Sequence, residues 1–235
     1  MSDDKVRAES PEQRIEYLEN RNRYLIEVVN NIVDILGTVV EFRNLDSGVH
    51  VKRTKAFTRI MGMNYMKLEP DSGLTEQAVN EISYASALHD IGKIAIPDSI
   101  LMKPGKLTKD EFEIMKTHTT KGDEILSGIL SGLEPDAYLK YCMEIIRHHH
   151  EKYDGRGYPD GLKGDEIPLS AQLVSIADCY DALISERVYK AAYPKDTAFD
   201  MICGGECGIF NPKIMNCFMV SREELEREAD RLEEP

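Results

Sequence analysis

The chain of 235 residues contains no tryptophan, and aromatic residues make up only 7% of it. A core must therefore be built from aliphatic side chains and methionine. No apolar run approaches the roughly 18 residues that a membrane-spanning helix needs. The polar residues 1–5 do not resemble a secretory signal. Together these absences predict a cytoplasmic protein with no membrane partner, large enough for one domain and an appendage.

Positive charge is also scarce. The chain carries 29 Lys and Arg against 42 Asp and Glu, a net charge of −13. Such a protein is repelled by phosphate backbones, so DNA is excluded as a non-specific partner. A small phosphorylated ligand would need cations gathered locally. The five cysteines, without a secretory signal, indicate reduced thiols rather than a disulfide framework.

Strand-like alternation is missing as well, and the fold class we predict is all-α. A helix begins after Ser10, with Pro11 in its first turn and Gln13 completing a capping box. Its apolar positions then follow a 4-3 spacing typical of a coiled-coil seam. The positions are Ile15, Leu18, Asn22, Leu25, Val29, Ile32, Leu36 and Val39.

The seam allows two interpretations. Asn22 falls at an a position, where a buried Asn often selects a two-stranded register. We therefore expect residues 11–30 to pair with a second copy as a homodimer, and residues 31–43 to enter the core. The alternative is a long helix that packs its stripe on its own domain.

The predicted organisation has four parts. Residues 1–10 form a disordered tail, residues 11–43 the N-terminal helix, residues 44–220 the main domain, and residues 221–235 a charged C-terminal helix. Within the main domain, Thr75, Thr108 and Pro135 carry helix-start signals. No repeat of fixed period is present.

The residues that could bind metals are spread along the main domain. The six histidines are His50, His89, His118 and the run at 148–150. Two of them precede a carboxylate, Asp90 or Glu151. Imidazole and carboxylate ligands suit zinc, iron or manganese, and several at helix ends could converge on one cavity.

Four collinear motifs in these segments resemble one known family. Residues 89–93 (His-Asp-Ile-Gly-Lys) resemble the HD-x-G-K core of the HD-superfamily metal-dependent phosphohydrolases. Residues 149–159 (His-His-Glu-Lys-Tyr-Asp-Gly-Arg-Gly-Tyr-Pro) resemble the signature of its HD-GYP subfamily, and residues 176–183 and 187–190 resemble the two motifs that follow it. The resemblance covers residues 44–218 and implies an HD-domain helical bundle.

The resemblance also implies a function. Family members hydrolyse cyclic di-GMP, a bacterial second messenger, to linear pGpG or GMP with two or three divalent metals. Iron and manganese are the expected metals, with zinc as an option. Two cations can activate a water or hydroxide held between them, and they neutralise negative charge on the phosphate. This is why the reaction needs such a cluster.

The family's site residues map onto this chain position by position. The implied metal ligands are His50, His89, Asp90, His118, His149, His150 and Asp178, with Asp90 bridging two metals. Asp46 occupies the position of a third-metal ligand. The alternative interpretation is that Asp46 only caps a turn before Gly48.

Further residues are implied to act on the substrate. Lys93 would stabilise the developing oxyanion, and Asp181 would hold a ligand histidine or accept a proton. Arg187 and Lys190 would grip phosphate, although ordinary surface charge is the simpler alternative. Tyr158 would stack on the ligand or donate a hydrogen bond to it.

Three functions remain open on the sequence. The first is cyclic di-GMP hydrolysis. The second is the same hydrolysis of another cyclic or linear dinucleotide, such as cyclic GMP-AMP. The third is a non-catalytic module that senses the dinucleotide or docks a diguanylate cyclase through its GYP loop.

Overall fold

A computed structural model describes residues 10–43, 48–132, 134, 136–186 and 191–233, and within these ranges it contains α-helices, short 3-10 helices and no β-strand. The all-α prediction is confirmed. The α-helices are α1 (Pro11–Arg43), α2 (Val49–Leu68), α3 (Glu76–Ala85), α4 (Asp98–Leu101), α5 (Lys109–Lys116), α6 (His118–Ile129), α7 (Ala137–His148), α8 (Leu169–Ile184), α9 (Lys195–Cys203) and α10 (Pro212–Glu233).

The N-terminal helix α1 begins with the predicted capping box. The Gln13 amide donates to Ser10 Oγ at 3.3 Å, and the Ser10 amide donates to Gln13 Oε1 at 3.0 Å. In its second half the helix has two different faces. Val33, Gly37 and Val40, which lie beside the predicted stripe, are buried against the domain, whereas Ile32, Leu36 and Val39 of the stripe itself stay exposed. Residues 31–43 therefore enter the core with one face only.

The core is organised around α2 and α8. Phe57, Met61 and Tyr65 of α2 pack with Tyr180 of α8 and with α9 and α10 in one large apolar cluster. A second cluster joins α1, α2, α3 and α7, with Ile145 of α7 fully buried at its centre. Most of α8 is buried. This central helix is therefore a rigid base for any side chain that it presents to a cavity.

One helix start agrees with the sequence prediction and another differs. Helix α5 begins after its cap Thr108 as predicted, it ends at Lys116, and α6 begins at His118 after a single residue. The predicted start at Pro135 shifts to Ala137, because Asp136 is the cap and accepts from the Leu139 amide at 2.9 Å.

The C-terminal prediction of a separate charged helix from residue 221 is wrong. One continuous helix, α10, runs from Pro212 to Glu233. Leu225 and Ala229 keep its later turns in the large apolar cluster, and Glu233 Oε1 accepts from Arg53 at 2.9 Å. The charged residues lie on the outer face of a packed helix.

No helix in the described part of the chain has both the length and the apolar character that crossing a bilayer requires.

Candidate metal centre

Helix ends bring the predicted ligands together. His50 lies in the first turn of α2, and His118 is the first residue of α6. His149 caps the C-terminus of α7, and Asp178 projects from the middle of α8. His89 and Asp90 complete the set, and they lie between the 3-10 turns Ser86–Leu88 and Ile91–Ala95.

One group of ligand atoms surrounds one oxygen of Asp90. His89 Nε2 lies 3.1 Å from Asp90 Oδ2 and 3.3 Å from His50 Nε2. Asp178 Oδ1 lies 3.6 Å from His50 Nε2 and 3.7 Å from His89 Nε2. These spacings are those of atoms around a common centre.

A second group surrounds the other oxygen of Asp90. His118 Nε2 lies 3.2 Å from Asp90 Oδ1, and His149 Nε2 lies 3.9 Å from it. The two imidazole nitrogens are 3.4 Å apart, and His150 supplies a ligand atom to the same group. Asp90 is thus shared by two groups, with one carboxylate oxygen directed at each.

Hydrogen bonds behind the rings determine which nitrogen faces the centre. His89, His118 and His149 each contact a backbone carbonyl through Nδ1. A carbonyl only accepts, so Nδ1 carries the proton and the lone pair of a neutral ring sits on Nε2. The acceptors are the carbonyls of Ser86, Met115 and Ile145, each at 2.8 Å.

This arrangement fits divalent cations. Asp90 Oδ1 is buried without a hydrogen bond although it lies 3.2 Å from the His118 Nε2 lone pair. Two acceptors at that distance repel each other unless a cation lies between them. Imidazole and carboxylate donors, with no thiolate in either group, are the ligands that iron, manganese and zinc share.

The pKa values match ligation by the second group. Burial lowers the pKa of His118, and burial with the neighbouring His89 charge lowers the pKa of His149 to about 3. Both rings are therefore neutral at pH 7. Burial favours the neutral acid at Asp90, but the cations of Lys93 and His89 hold its pKa well below the usual range.

We expect metal binding at pH 7 to release about one proton from His89. Burial lowers the pKa of this ring, but the carboxylates of Asp90 and Asp178 outweigh it and raise the value to about 9 in the metal-free protein. Because the metal must displace that proton, Mn²⁺ affinity should rise with pH until about pH 9. Calorimetry in two buffers of different ionisation enthalpy measures the release, and identical heats would contradict it.

Asp181 lies behind His50. Its Oδ2 is 2.5 Å from His50 Nδ1, and its Oδ1 is 2.5 Å from Arg53 Nε. The Asp181 side chain is completely buried, so it has no access to a bound ligand. Of the two predicted roles, this geometry supports holding the ligand histidine, and the role of Asp181 as a catalytic group stays a prediction.

A cavity of about 470 Å³ adjoins the ligand groups, within the range of about 300–1,000 Å³ for small-molecule sites. Lys93 and Tyr158 both line it. Lys93 Nζ is 2.5 Å from Asp90 Oδ2, and the Tyr158 ring is 4.7 Å from the His150 ring. Burial raises the pKa of Tyr158, so its phenol is a neutral hydrogen-bond donor.

The loop that carries Tyr158 is shaped by its neighbours. The buried Glu151 Oε1 accepts from the amides of Asp160 at 2.7 Å and Gly161 at 3.0 Å. A Cβ on Gly157 would lie 2.3 Å from the Lys152 nitrogen, so only glycine allows this approach. His148 turns away from the two ligand groups, and its Nδ1 lies 3.4 Å from Asp160 Oδ2.

Three predicted residues lie outside the described part of the chain. They are the third-metal candidate Asp46 and the phosphate-binding candidates Arg187 and Lys190.

Two sets of residues were not predicted from the sequence, namely further side chains that line the cavity and two residues of α1. Lys103, Phe112 and Met115 belong to the cavity lining. From α1, Glu41 and Arg43 reach the turn after Asp90. A signal existed for Glu41, because it follows Val33 and Gly37 at intervals of four on the face that becomes buried.

Comparison with protein families gives a match to the HD domain over residues 48–207. A cyclic di-GMP phosphodiesterase of Vibrio cholerae is 41% identical over 191 residues, which are 81% of this chain and 39% of the relative. The cyclic di-GMP phosphodiesterase response regulator RpfG of Xanthomonas campestris is 39% identical over 227 residues, 94% of this chain and 56% of the relative.

Another relative acts on a different dinucleotide. The 3′3′-cGAMP-specific phosphodiesterase 2 of Vibrio cholerae is 37% identical over 201 residues, 86% of this chain and 36% of the relative. The chain thus spans about half the length, or less, of these relatives. Among solved structures, Bd1817, an HDG"Y"P protein from Bdellovibrio bacteriovorus, matches with a TM-score of 0.56 at 16% identity, over 86% of this chain and 64% of that one. This likeness supports the fold.

Proposed function

The chain belongs to the HD-domain family, in its HD-GYP branch, and from that premise we propose that it is a metal-dependent phosphodiesterase that hydrolyses cyclic di-GMP to linear pGpG or GMP. One observation carries the proposal. The two oxygens of Asp90 face two separate groups of imidazole nitrogens beside a cavity of about 470 Å³ that Lys93 and Tyr158 line. That is the arrangement a two-metal hydrolase needs.

The protein's own residues would hold the cations and the phosphate in place. Asp90 would bridge two metals, with His50, His89 and Asp178 on one and His118, His149 and His150 on the other. When bound, two divalent cations lower the pKa of water and neutralise charge on a phosphodiester. Backbone carbonyls orient His89, His118 and His149, and Asp181 orients His50, so these four ligands would need no rearrangement.

Lys93 is the group we assign to the phosphate. Its ammonium lies 2.5 Å from Asp90 Oδ2 and lines the cavity. With Asp90 engaged as a metal ligand, the Lys93 ammonium would be available to a phosphoryl oxygen that gains charge during the reaction. Tyr158 would contact the ligand through its phenol or its ring face. We keep Arg187 and Lys190 as proposed phosphate contacts, on the strength of the motif alone.

The number and identity of the metals remain proposals. The donor set suits iron and manganese, with zinc as an option. A third metal at Asp46 is a further proposal.

The function is tested by hydrolysis assays on protein loaded anaerobically with Fe²⁺ or Mn²⁺. Cyclic di-GMP, 3′3′-cGAMP and pGpG are incubated separately, and products are resolved by chromatography. We expect metal-dependent turnover of cyclic di-GMP that a chelator abolishes. Faster turnover of 3′3′-cGAMP would favour the second candidate, for which the similarity to a cGAMP-specific enzyme is the specific support.

The non-catalytic alternative makes a different prediction. A sensing module, or one that docks a diguanylate cyclase through the GYP loop, needs no metal. Protein with a full metal complement and no turnover of any dinucleotide would reject hydrolysis. Protein that purifies without metal and does not take it up would favour the module.

We also propose that the chain forms a homodimer through α1. The 4-3 stripe is exposed at Ile15, Leu18, Leu25 and Val29, each with 44–56% of its surface accessible. A second copy would cover these side chains in a parallel pairing that places Asn22 opposite Asn22. The exposed stripe extends past residue 30 to Val39, so the pairing could continue beside the domain.

Light scattering at micromolar concentration should give twice the 26.6 kDa mass of one chain. Asn22→Val removes the polar pair that selects two strands, so we expect a more stable assembly or one of higher order. Asn20→Val, at an exposed position outside the seam, is the matched control and should remain dimeric. A monomeric wild-type protein would refute the pairing.

A further inference from the structure

The end of α1 contacts the turn that carries Asp90 and Lys93, although α1 supplies no ligand to either metal group. We propose that Glu41 and Arg43 are positioning residues for Lys93, so that the placement of α1 controls the reactive centre from outside it. The inference rests on the proposed function for the role of Lys93. Three separate contacts carry it.

The first contact is electrostatic. Glu41 is only 2% exposed, and its Oε1 lies 3.6 Å from Lys93 Nζ while making no hydrogen bond of its own. A carboxylate buried in this way is costly unless a cation lies nearby. The Lys93 ammonium therefore lies within the fields of two carboxylates, Glu41 and Asp90. If metals neutralise Asp90, Glu41 remains as an anionic anchor for Lys93.

The second contact holds the backbone of Lys93. Arg43 donates from Nη1 to the carbonyls of Lys93 and Ile94, both at 2.8 Å. From Nη2 it donates to the carbonyl of Ile96 at 2.8 Å and to Asp98 Oδ1 at 2.6 Å. The last carbonyls of a helical turn generally lack amide donors from the turn itself, and the Lys93 carbonyl accepts from the Ile96 amide as well as from Arg43. The planar guanidinium reaches several of them at once, which an ammonium cannot do.

The third contact lies on the other side of His89. A Cβ on Gly37 would come within 2.3 Å of the Ala87 carbonyl oxygen, so the α1 backbone touches the Ser86–Leu88 turn directly. That turn supplies the Ser86 carbonyl that orients His89. α1 is therefore in contact immediately before and after the His89-Asp90 pair.

These contacts would transmit a movement of α1 to the turn that carries Lys93. A packed contact of this kind does not deform gradually, because interior atoms are close-packed. A shift of α1 must move the turn or break the contacts to Arg43 and Glu41. The opposite face of α1 is exposed at Ile35, Leu36 and Phe42, so a partner on that face could impose such a shift.

A double-mutant cycle tests the link from Glu41 to Lys93. Glu41→Gln keeps the shape and removes the charge. We expect it to lower kcat for cyclic di-GMP about tenfold, with KM changed less than about twofold and metal content unchanged. In a Lys93→Met background the same change should have almost no effect. Equal losses in both backgrounds would show a general packing defect and overturn the proposal.

Amide hydrogen exchange tests the clamp without any turnover. The Lys93 amide donates to the Asp90 carbonyl and the Ile96 amide to the Lys93 carbonyl. Arg43→Lys should accelerate exchange of both about tenfold and lower kcat. Asp34→Asn is the matched control, because it breaks another α1 ion pair, with Lys55 at 2.5 Å, away from the turn. It should leave exchange and kcat unchanged.

The outcomes separate this inference from the proposed function. If the wild-type protein hydrolyses cyclic di-GMP and Arg43→Lys changes neither exchange nor kcat, the positioning role is wrong and the function stands. If exchange rises but kcat does not fall, the clamp exists without positioning Lys93, and the proposal is again overturned. If the wild-type protein hydrolyses no dinucleotide, the function fails, and exchange still decides whether α1 holds the turn.

Discussion

Asp90→Ala is expected to abolish hydrolysis and to remove both metals. Among the residues that the structure describes, Asp90 is the one shared by the two ligand groups, with Oδ2 at 3.1 Å from His89 Nε2 and Oδ1 at 3.2 Å from His118 Nε2. Each cation would lose a ligand, and the carboxylate charge that offsets cationic repulsion would be lost too. Two-metal stabilisation of several kcal/mol corresponds to a loss of turnover of at least about 10³-fold. Metal content by elemental analysis and turnover by chromatography are the measurements.

The control for this variant is Asp71→Ala, an exposed aspartate in the 3-10 turn Pro70–Ser72. It should retain both metal and turnover. Circular dichroism must show that Asp90→Ala is folded. A folded Asp90→Ala protein that keeps two metals, or that still turns over cyclic di-GMP at a rate near the wild type, would show that the shared carboxylate is not the bridge.

Asp181→Asn is expected to cost about 3 kcal/mol of folding free energy, and to weaken metal binding at His50 by about 10- to 100-fold. Asp181 has no exposed surface, and it is paired with His50 and with Arg53, which is only 6% exposed. The amide leaves the buried guanidinium without its buried anion. It also weakens the contact that orients His50. For a chain of this size, Tm should fall by roughly 6–12 °C.

Thermal unfolding and Mn²⁺ titration measure the two effects separately. Asp196→Asn is the matched control, since it removes the anion of another Arg–Asp pair, with Arg222, in which the aspartate is 82% exposed. Surface pairs contribute about 0–1 kcal/mol, so its Tm should shift little. If Asp181→Asn proved as mild as Asp196→Asn, the buried network would have no structural role.

The helices and most of the residues that gather at the candidate metal centre could be predicted from the sequence. Local signals define both, because a helix repeats every 3.6 residues and caps use short side chains at fixed offsets. Thr75 and Thr108 cap helices as predicted, each accepting from an amide three residues later. The family motifs selected His89, Asp90 and His149 from among unremarkable His and Asp residues, and the structure brings these three together.

Other features depend on contacts between distant segments. The charged C-terminal residues continue α10 because Leu225 and Ala229 pack in a buried apolar cluster. Apolar residues are too sparse in this segment for the sequence to predict that packing. Glu41 and Arg43 looked like ordinary charges at a helix end. Their importance follows from a turn about 50 residues later in the chain.

The sequence alone determined the fold class and the helix starts at Ser10, Thr75 and Thr108, since these follow from local periodicity and capping chemistry, and the family motifs indicated the set of residues able to bind metal. Only the tertiary structure decided how those residues divide into two groups around Asp90. It also decided that Asp181 supports a ligand from behind, and that α1 holds the turn carrying Lys93. These are matters of direction and distance across a packed core, which depend on how helices far apart in sequence are brought together.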